Sequence, residues 1–202
     1  MRHMSTPVES AGVATESTRR RLSPQQAEKI SKMADAAVEI LAADGFDALS
    51  VRDVAKRAGV APATAYTYFS SKSHLVAEVF WRRLAAGVPE ADPSLPARDR
   101  VAQVLRGVSM VVAGDGQLGG AVTVALLGND PDSEHLRWRI GRFIHDRLAA
   151  AVGNDHPEAE RVVDALQMLY AGGLVTAGMG HLTYEATSER LVAAAGLLMP
   201  AD

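Results

Sequence analysis

The sequence predicts an all-α protein. Three observations carry the prediction. Apolar residues recur at three-and-four spacing, the period of one helix face. Strand signals are sparse. Helix caps and glycine or proline stops divide the chain into segments of ordinary helix length. The 202 residues are 48% apolar and 22% charged, as in globular proteins. They divide into a basic arm over 1–22, expected to be disordered, a compact helical unit over 23–88, and a larger helical unit over 89–202. The chain is long enough to bury a substantial core.

Each element has its own justification. Ser23-Pro24-Gln25-Gln26 opens the first helix, with Ser23 as cap, Pro24 in the first turn and Gln26 completing a capping box. Ala27, Ile30, Ala34, Ala37 and Leu41 form its inner face, and Asp44-Gly45 ends it. Phe46 and Leu49 lie in a short linker, able to plug the gap between two helices. Ser50 and Asp53 form a second capping box, Val54, Ala55 and Ala58 face inward, and Gly59 is the stop. Pro62 suits the first turn of a short third helix. Ser70-Ser71-Lys72 opens a fourth, which buries Leu75, Val76, Val79, Phe80 and Leu84 and fades at Gly87-Val88-Pro89.

The stretch "PEADPSLPA" is a Pro-rich polar linker and a domain boundary. Helices are then expected over 98–113, over 121–127 after the breaker "GDGQLGG", over 134–152, from Pro157 to about Leu182, and over 188–199. No internal repeat is present.

Composition narrows the chemistry. The absence of cysteine excludes disulfides, thiolate nucleophiles and zinc-thiolate sites. The six histidines are scattered, with no pair at helical metal-site spacing, and no nucleophile–base pairing is evident. No cofactor, metal or catalytic residue is expected. The first 17 residues lack an apolar core, so no secretory signal is expected and the location is read as cytoplasmic. Residues 165–184 carry no charge over about the length of a membrane span, but Gln167, His181 and four glycines favour a buried or interface helix over a membrane helix. Charge is uneven. Residues 1–72 hold ten Lys/Arg against eight Asp/Glu, and the remainder eleven against sixteen, the sign expected if the N-terminal part meets a polyanion.

Helix, tight glycine turn and a second helix of under ten residues make the helix-turn-helix plan, in which the second helix enters the DNA major groove. The stretch "LSVRDVAKRAGVAPATAYTYFSSKSHLV" resembles the N-terminal domain of TetR-family transcriptional regulators. The resemblance rests on Ser50, Val54, Ala55, Ala58, Gly59, Val60, Thr64, Tyr66, Tyr68, Phe69, Ser71, Lys72 and Leu75 at fixed spacing, and it spans residues 24 to 84. It departs from the family pattern at Ala61, where a Ser or Thr cap is usual, at Ala63 and Ala65, and at Thr67, a base-facing position often held by His or Arg.

The resemblance implies a homodimer that binds double-stranded DNA at a palindromic operator. The implied DNA-facing set is Ser50, Arg52, Pro62, Thr64, Tyr66, Thr67, Tyr68 and Lys72. Tyr68 and Lys72 are expected on phosphates, and Ser50 is placed alike at a helix start. Tyr66 is expected on phosphate or against the sugar. Thr64 and Thr67 are expected at base edges, with Arg52 as helper. Phe69 and Ala65 are expected to point inward, with Tyr68 outward. Arg19-Arg20-Arg21 reads either as a minor-groove arm or as a solvated tail.

Residues 89–202 are implied to bind a ligand and to dimerise. The last two helices would form the dimer interface, with Gly172, Gly173, Gly178 and Gly180 allowing close packing. Met110, Val122, Leu126, Trp138, Phe143, Met168 and Tyr170 are candidate walls for a pocket taking an apolar or amphipathic effector. The leading expectation is a ligand-responsive repressor. The alternatives are a constitutive DNA-binding regulator without effector, and a helical small-molecule carrier or enzyme with a repurposed helix-turn-helix.

Overall fold

A computed structural model describes residues 16–17, 20–21 and 23–199. A two-residue antiparallel ladder pairs β1 (Glu16–Ser17) with β2 (Arg20–Arg21). The remainder of the 1–22 arm, including Arg19, lies outside the described residues, as does most of the segment read for a secretory signal. The described chain is otherwise helical: α1 (Pro24–Ala48), α2 (Val51–Arg57), α3 (Pro62–Tyr68), α4 (Lys72–Gly87), α5 (Ala97–Met110), α6 (Gly116–Leu127), α7 (Pro131–Val152), α8 (Ala159–Gly178) and α9 (Tyr184–Leu198).

The caps behave as the side-chain chemistry dictates. Ser23 accepts from the Gln26 amide, and Gln26 returns a bond to the Ser23 amide. Ser50 caps α2 by accepting from the Asp53 amide, and its hydroxyl donates to the Asp53 carboxylate. Gly45 sits at φ 77° inside the span of α1, which breaks the helix where the Asp44-Gly45 stop predicts. Gly59, at φ 67°, provides the left-handed residue that reverses the chain between α2 and α3.

Several boundaries differ from the sequence reading, among them the start of α7 at Pro131 in place of 134 and the end of α8 at Gly178 in place of about 182. Helix α6 starts at Gly116, not at 121. Asp115 caps it by accepting from the Leu118 amide, so most of the "GDGQLGG" breaker is helix. Gly119 is tolerated there because the Tyr184 ring and hydroxyl lie where its Cβ would stand. Helix α9 begins at Tyr184, four residues early, because Thr183 accepts from the Ala186 amide. Among the described residues, no helix is long and apolar enough to cross a membrane.

One continuous core runs through both helical units. Ile30, Met33, Leu41, Phe69, Leu75 and Phe80 fill the first unit and Leu105, Leu118, Leu136, Leu148 and Leu166 the second, all with essentially no exposure. Each such side chain contributes about 1.5–3 kcal/mol on burial. Helix α4 joins the two halves. It packs on α1 and also on α6 and α7, so its inner face is apolar nearly all round.

Candidate DNA interface and ligand cavity

The face of α3 follows from its packing. Ala65, Tyr68 and Phe69 are buried, at positions i, i+3 and i+4 of one stripe. Pro62, Ala63, Tyr66 and Thr67 lie on the outer side. This corrects the expected orientation of Tyr68, which is only 6% exposed against 50% for Tyr66. Its spacing from Ala65 and Phe69 puts the ring in the core whatever its hydroxyl favours.

The outer side chains are partly engaged already. The Thr67 hydroxyl donates to the Thr64 carbonyl at 2.7 Å, so Thr67 presents its methyl and an acceptor outward. Ala61 provides no side-chain cap, leaving amides open at the start of α3. Ser50 is half-buried and Arg52 fully outward. Lys56 and Arg57 are also exposed beside them, although Arg57 lies 3.6 Å from Glu39.

Lys72 has an internal role that its sequence position does not reveal. Its ammonium donates to the carbonyls of Phe46 at 3.1 Å and Asp47 at 3.5 Å. It also stands 4.4 Å from the centre of the Phe46 ring. A cation here satisfies carbonyls left over at the end of α1 and fastens the start of α4 to that end.

His74, passed over in the sequence because it stands alone, lies at the centre of a polar joint behind α3. It is fully buried. Its Nδ1 accepts from the Ser70 amide at 3.3 Å, with the Ser70 hydroxyl at 3.2 Å. The Asp132 carboxylate is 3.9 Å away. Asp130, the cap of α7, accepts from the Ser133 amide. Burial alone would raise the Asp130 pKa. Bonds from the Ser133 amide and the Ser71 hydroxyl, with the nearby His74, outweigh that and hold it below its ordinary value.

The second unit contains a cavity of about 380 Å³ between α6, α7 and α8, within the usual range for small-molecule sites. Leu126, Ile140, Ile144 and Leu174 make its walls apolar, with Thr123 and Gln167 as polar points. Arg137 closes one side and donates to the carbonyls of Leu126 and Gly128, which pins the end of α6 to α7.

Leu126, Met168 and Tyr170 line this cavity. The Tyr170 hydroxyl is buried without a hydrogen-bond partner in the structure. Burial, reinforced by neighbouring Tyr184, raises its pKa.

Four expected wall residues lie elsewhere. Val122 is fully buried core and is not among the residues lining the cavity. Met110 is exposed at the end of α5. Phe143 stacks edge-on with Trp81 at 5.5 Å and faces a surface groove with Arg100 and Arg147. Trp138 is 75% exposed beside Arg142 and His145. Apolar type alone does not report which face of a helix turns toward the cavity.

The glycines of α8 also divide. A Cβ on Gly178 would strike Thr123, and one on Gly173 would meet Thr187 and Leu191. Those two serve packing inside the subunit, against α6 and α9. Gly180 takes φ 78° just past the end of α8. Gly172 has nothing within 4 Å and shares an exposed stripe with Met168, Ala171 and Met179.

This arrangement, a glycine turn between two short helices with a polar outer face on the second, defines a helix-turn-helix protein. The family description "Bacterial regulatory proteins, tetR family" matches residues 34–79. An uncharacterized HTH-type transcriptional regulator of Mycobacterium tuberculosis is 43% identical over 171 residues, covering 83% of this chain and 79% of that protein. The chain belongs to the TetR family of bacterial transcriptional regulators. Among solved structures, a TetR transcriptional regulator from Rhodococcus sp. RHA1 superposes with a TM-score of 0.70 at 23% identity, over 89% of this chain and all of that one. The regulator FadR from Bacillus subtilis, in complex with stearoyl-CoA, gives 0.61 at 19% identity, over 82% and 96%. These two likenesses concern the fold.

Proposed function

We propose that the protein is a ligand-responsive repressor that binds a palindromic operator as a homodimer. The observation that carries this is the joining, through α4, of a polar helix face to a unit with an apolar cavity. Pro62, Thr64, Tyr66 and Thr67 meet the major groove, with Thr67 reading bases chiefly through its methyl. Ser50, Tyr66 and Lys72 hold the phosphates. Tyr68 acts by seating the helix, with at most its hydroxyl edge reaching the backbone. With no Lys or Arg on α3, direct readout is modest, and the exposed Arg52 adds to it.

The stripe of Met168, Ala171, Gly172 and Met179, with α9, forms the contact between subunits. It has no charge to oppose its own copy across a two-fold axis. That dimer would set two recognition helices about 34–36 Å apart, one DNA turn. The effector is an apolar or amphipathic molecule that fits between α6, α7 and α8, as the largely hydrocarbon walls favour. Its binding shifts the dimer toward a state with the wrong spacing, which requires tighter binding to that state. The cavity favours this reading over a constitutive regulator.

The test is selection from random duplexes at two salt concentrations. An enriched palindrome whose affinity falls steeply with salt is the expected result. Folded protein that enriches nothing at either salt would overturn the reading.

A further inference from the structure

His74 is the only histidine between residues 23 and 88, so it is the one side chain of the DNA-binding unit that changes charge between pH 5 and 8 at its ordinary pKa. One nitrogen, Nδ1, serves two neighbours with opposite demands. To accept from the Ser70 amide at 3.3 Å, it must present its lone pair, so the neutral ring carries its hydrogen on Nε2. To bond Asp132, now at 3.9 Å and beyond hydrogen-bond distance, it must carry a hydrogen itself. Lone pair and hydrogen occupy the same direction in the ring plane, so the bond from the Ser70 amide and the bond to Asp132 exclude each other, and the Ser70 hydroxyl, 3.2 Å from the same nitrogen, can accept from the protonated ring only in competition with the Asp132 carboxylate.

The two neighbours belong to different halves of the molecule. Ser70 directly follows Phe69, the cap of the recognition helix. Asp132 lies in the first turn of α7, whose Ile140 and Ile144 line the cavity. We propose that His74 is a proton-operated latch: neutral, it holds the end of the recognition helix through the Ser70 amide, and protonated, it turns to Asp132 and releases that end, lowering operator affinity. This rests on the reading of the chain as a DNA-binding regulator and adds proton control to it.

Carboxylates and paired charges surround the ring. Asp130 and Asp132 face the ring from α7. On α4 itself Glu78 lies one turn on and is bonded by Arg82 at 3.0 Å. Arg139 of α7 stands over the Trp81 ring. From α6 comes Asp115, paired with Arg83, and from α1 the carbonyls that Lys72 holds. Helix α5 meets the far end of α4, where Gly87 faces Val111. The carboxylates nearest the ring attract a charge there, against the cost of burying an imidazolium. Ser70 is exposed and gives protons a path in.

The experiment measures affinity for a duplex selected at pH 7.5, then at pH 5.5 in the same salt, by fluorescence anisotropy. The wild type is expected to bind about tenfold more weakly at pH 5.5. That direction is diagnostic, because protonating histidines elsewhere adds positive charge and tightens binding to a polyanion. His74→Asn places an amide oxygen near the Nδ1 position to accept from Ser70 and does not titrate. It is expected to keep the neutral-pH affinity and to lose the acid weakening. Asp132→Asn leaves His74 and Ser70 in place and is expected to shrink the weakening.

A wild type equally tight at both pH values, or the same fall in His74→Asn, would overturn the latch. Should His74→Asn not fold, an unchanged fall in Asp132→Asn overturns it. Folded wild-type protein that selects no duplex at pH 7.5 overturns the regulator reading itself, a separate result.

Discussion

The Lys72 ammonium closes the end of α1 by donating to the Phe46 carbonyl while lying 4.4 Å from the centre of that residue's ring. The lysine therefore has a structural role before any phosphate arrives. Lys72→Ala is expected to lower stability by about 1 kcal/mol through the lost carbonyl bonds. It should also weaken DNA binding nearly equally on every duplex, since a phosphate contact carries no sequence information. Denaturant unfolding and a panel of duplexes read the two effects separately. A change in base preference alone would contradict both assignments.

Tyr66 and Thr67 should behave differently from one another. Tyr66→Phe removes an exposed hydroxyl and is expected to weaken all duplexes severalfold. Thr67→Ser keeps the hydroxyl that donates to the Thr64 carbonyl and removes only the methyl. It should relax preference at individual thymine positions while leaving thermal stability close to wild type. Repeating the duplex selection with each variant checks this.

Gly178 has no room for a side chain, because the new Cβ would meet Thr123, whose hydroxyl is itself bonded to the Gly119 carbonyl. Gly178→Ala is expected to cost roughly 1–3 kcal/mol as overpacking, outweighing the helix propensity that alanine adds. Gly141, mid-helix in α7 with nothing within 4 Å, is the control. Gly141→Ala should be neutral or stabilising by up to about 1 kcal/mol. Thermal unfolding of the pair decides the sign of each.

Met168 is 78% exposed on the uncharged stripe of α8. Met168→Glu is expected to place two like charges across the subunit contact and convert dimer to monomer at micromolar concentration. Sedimentation would show the change while circular dichroism stays constant. A dimer indifferent to the substitution would move the interface elsewhere.

Asp130 has a lowered pKa in the folded chain. A carboxylate of that kind adds stability that is fully present above its unfolded value and is lost as pH falls through the folded one. Acid unfolding should therefore draw on Asp130 below about pH 4. Asp130→Asn should be less stable at pH 7 and lose less on going to pH 3, as urea unfolding at the two pH values will report.

Much of the architecture is legible in the sequence because it is written locally. The caps at Ser23 and Ser50, the stop at Gly45 and the turn at Gly59 each depend on a few neighbouring residues, and α3 falls where Pro62 and Tyr68 bound it. What escaped depends on distant partners. Glycines in "GDGQLGG" look like a breaker until Tyr184, 65 residues later, is seen against Gly119. Tyr68 carries a hydroxyl that suggests a surface, yet its ring follows Ala65 and Phe69 inward. Leu126, Met168 and Tyr170 line the cavity. Trp138 and Phe143, of the same chemical type, turn to other faces because helix rotation is set by packing. His74 has no motif around it, and only the fold brings Ser70 and Asp132 to its ring.

Helix α4 carries a further consequence for anyone building chimaeras. Its first turns hold Phe46 and Ser70 on one side and face Asp132 on the other, and its later turns bear Trp81 on Phe143 and Arg83 on Asp115. A graft joined at the Pro-rich linker would take α4 with the donor's DNA head and set it on a foreign body lacking those counterparts. Transplanting the second helical unit into another regulator would therefore require recoding the α4 surface along with it, and the natural seam lies within a helix instead of between domains.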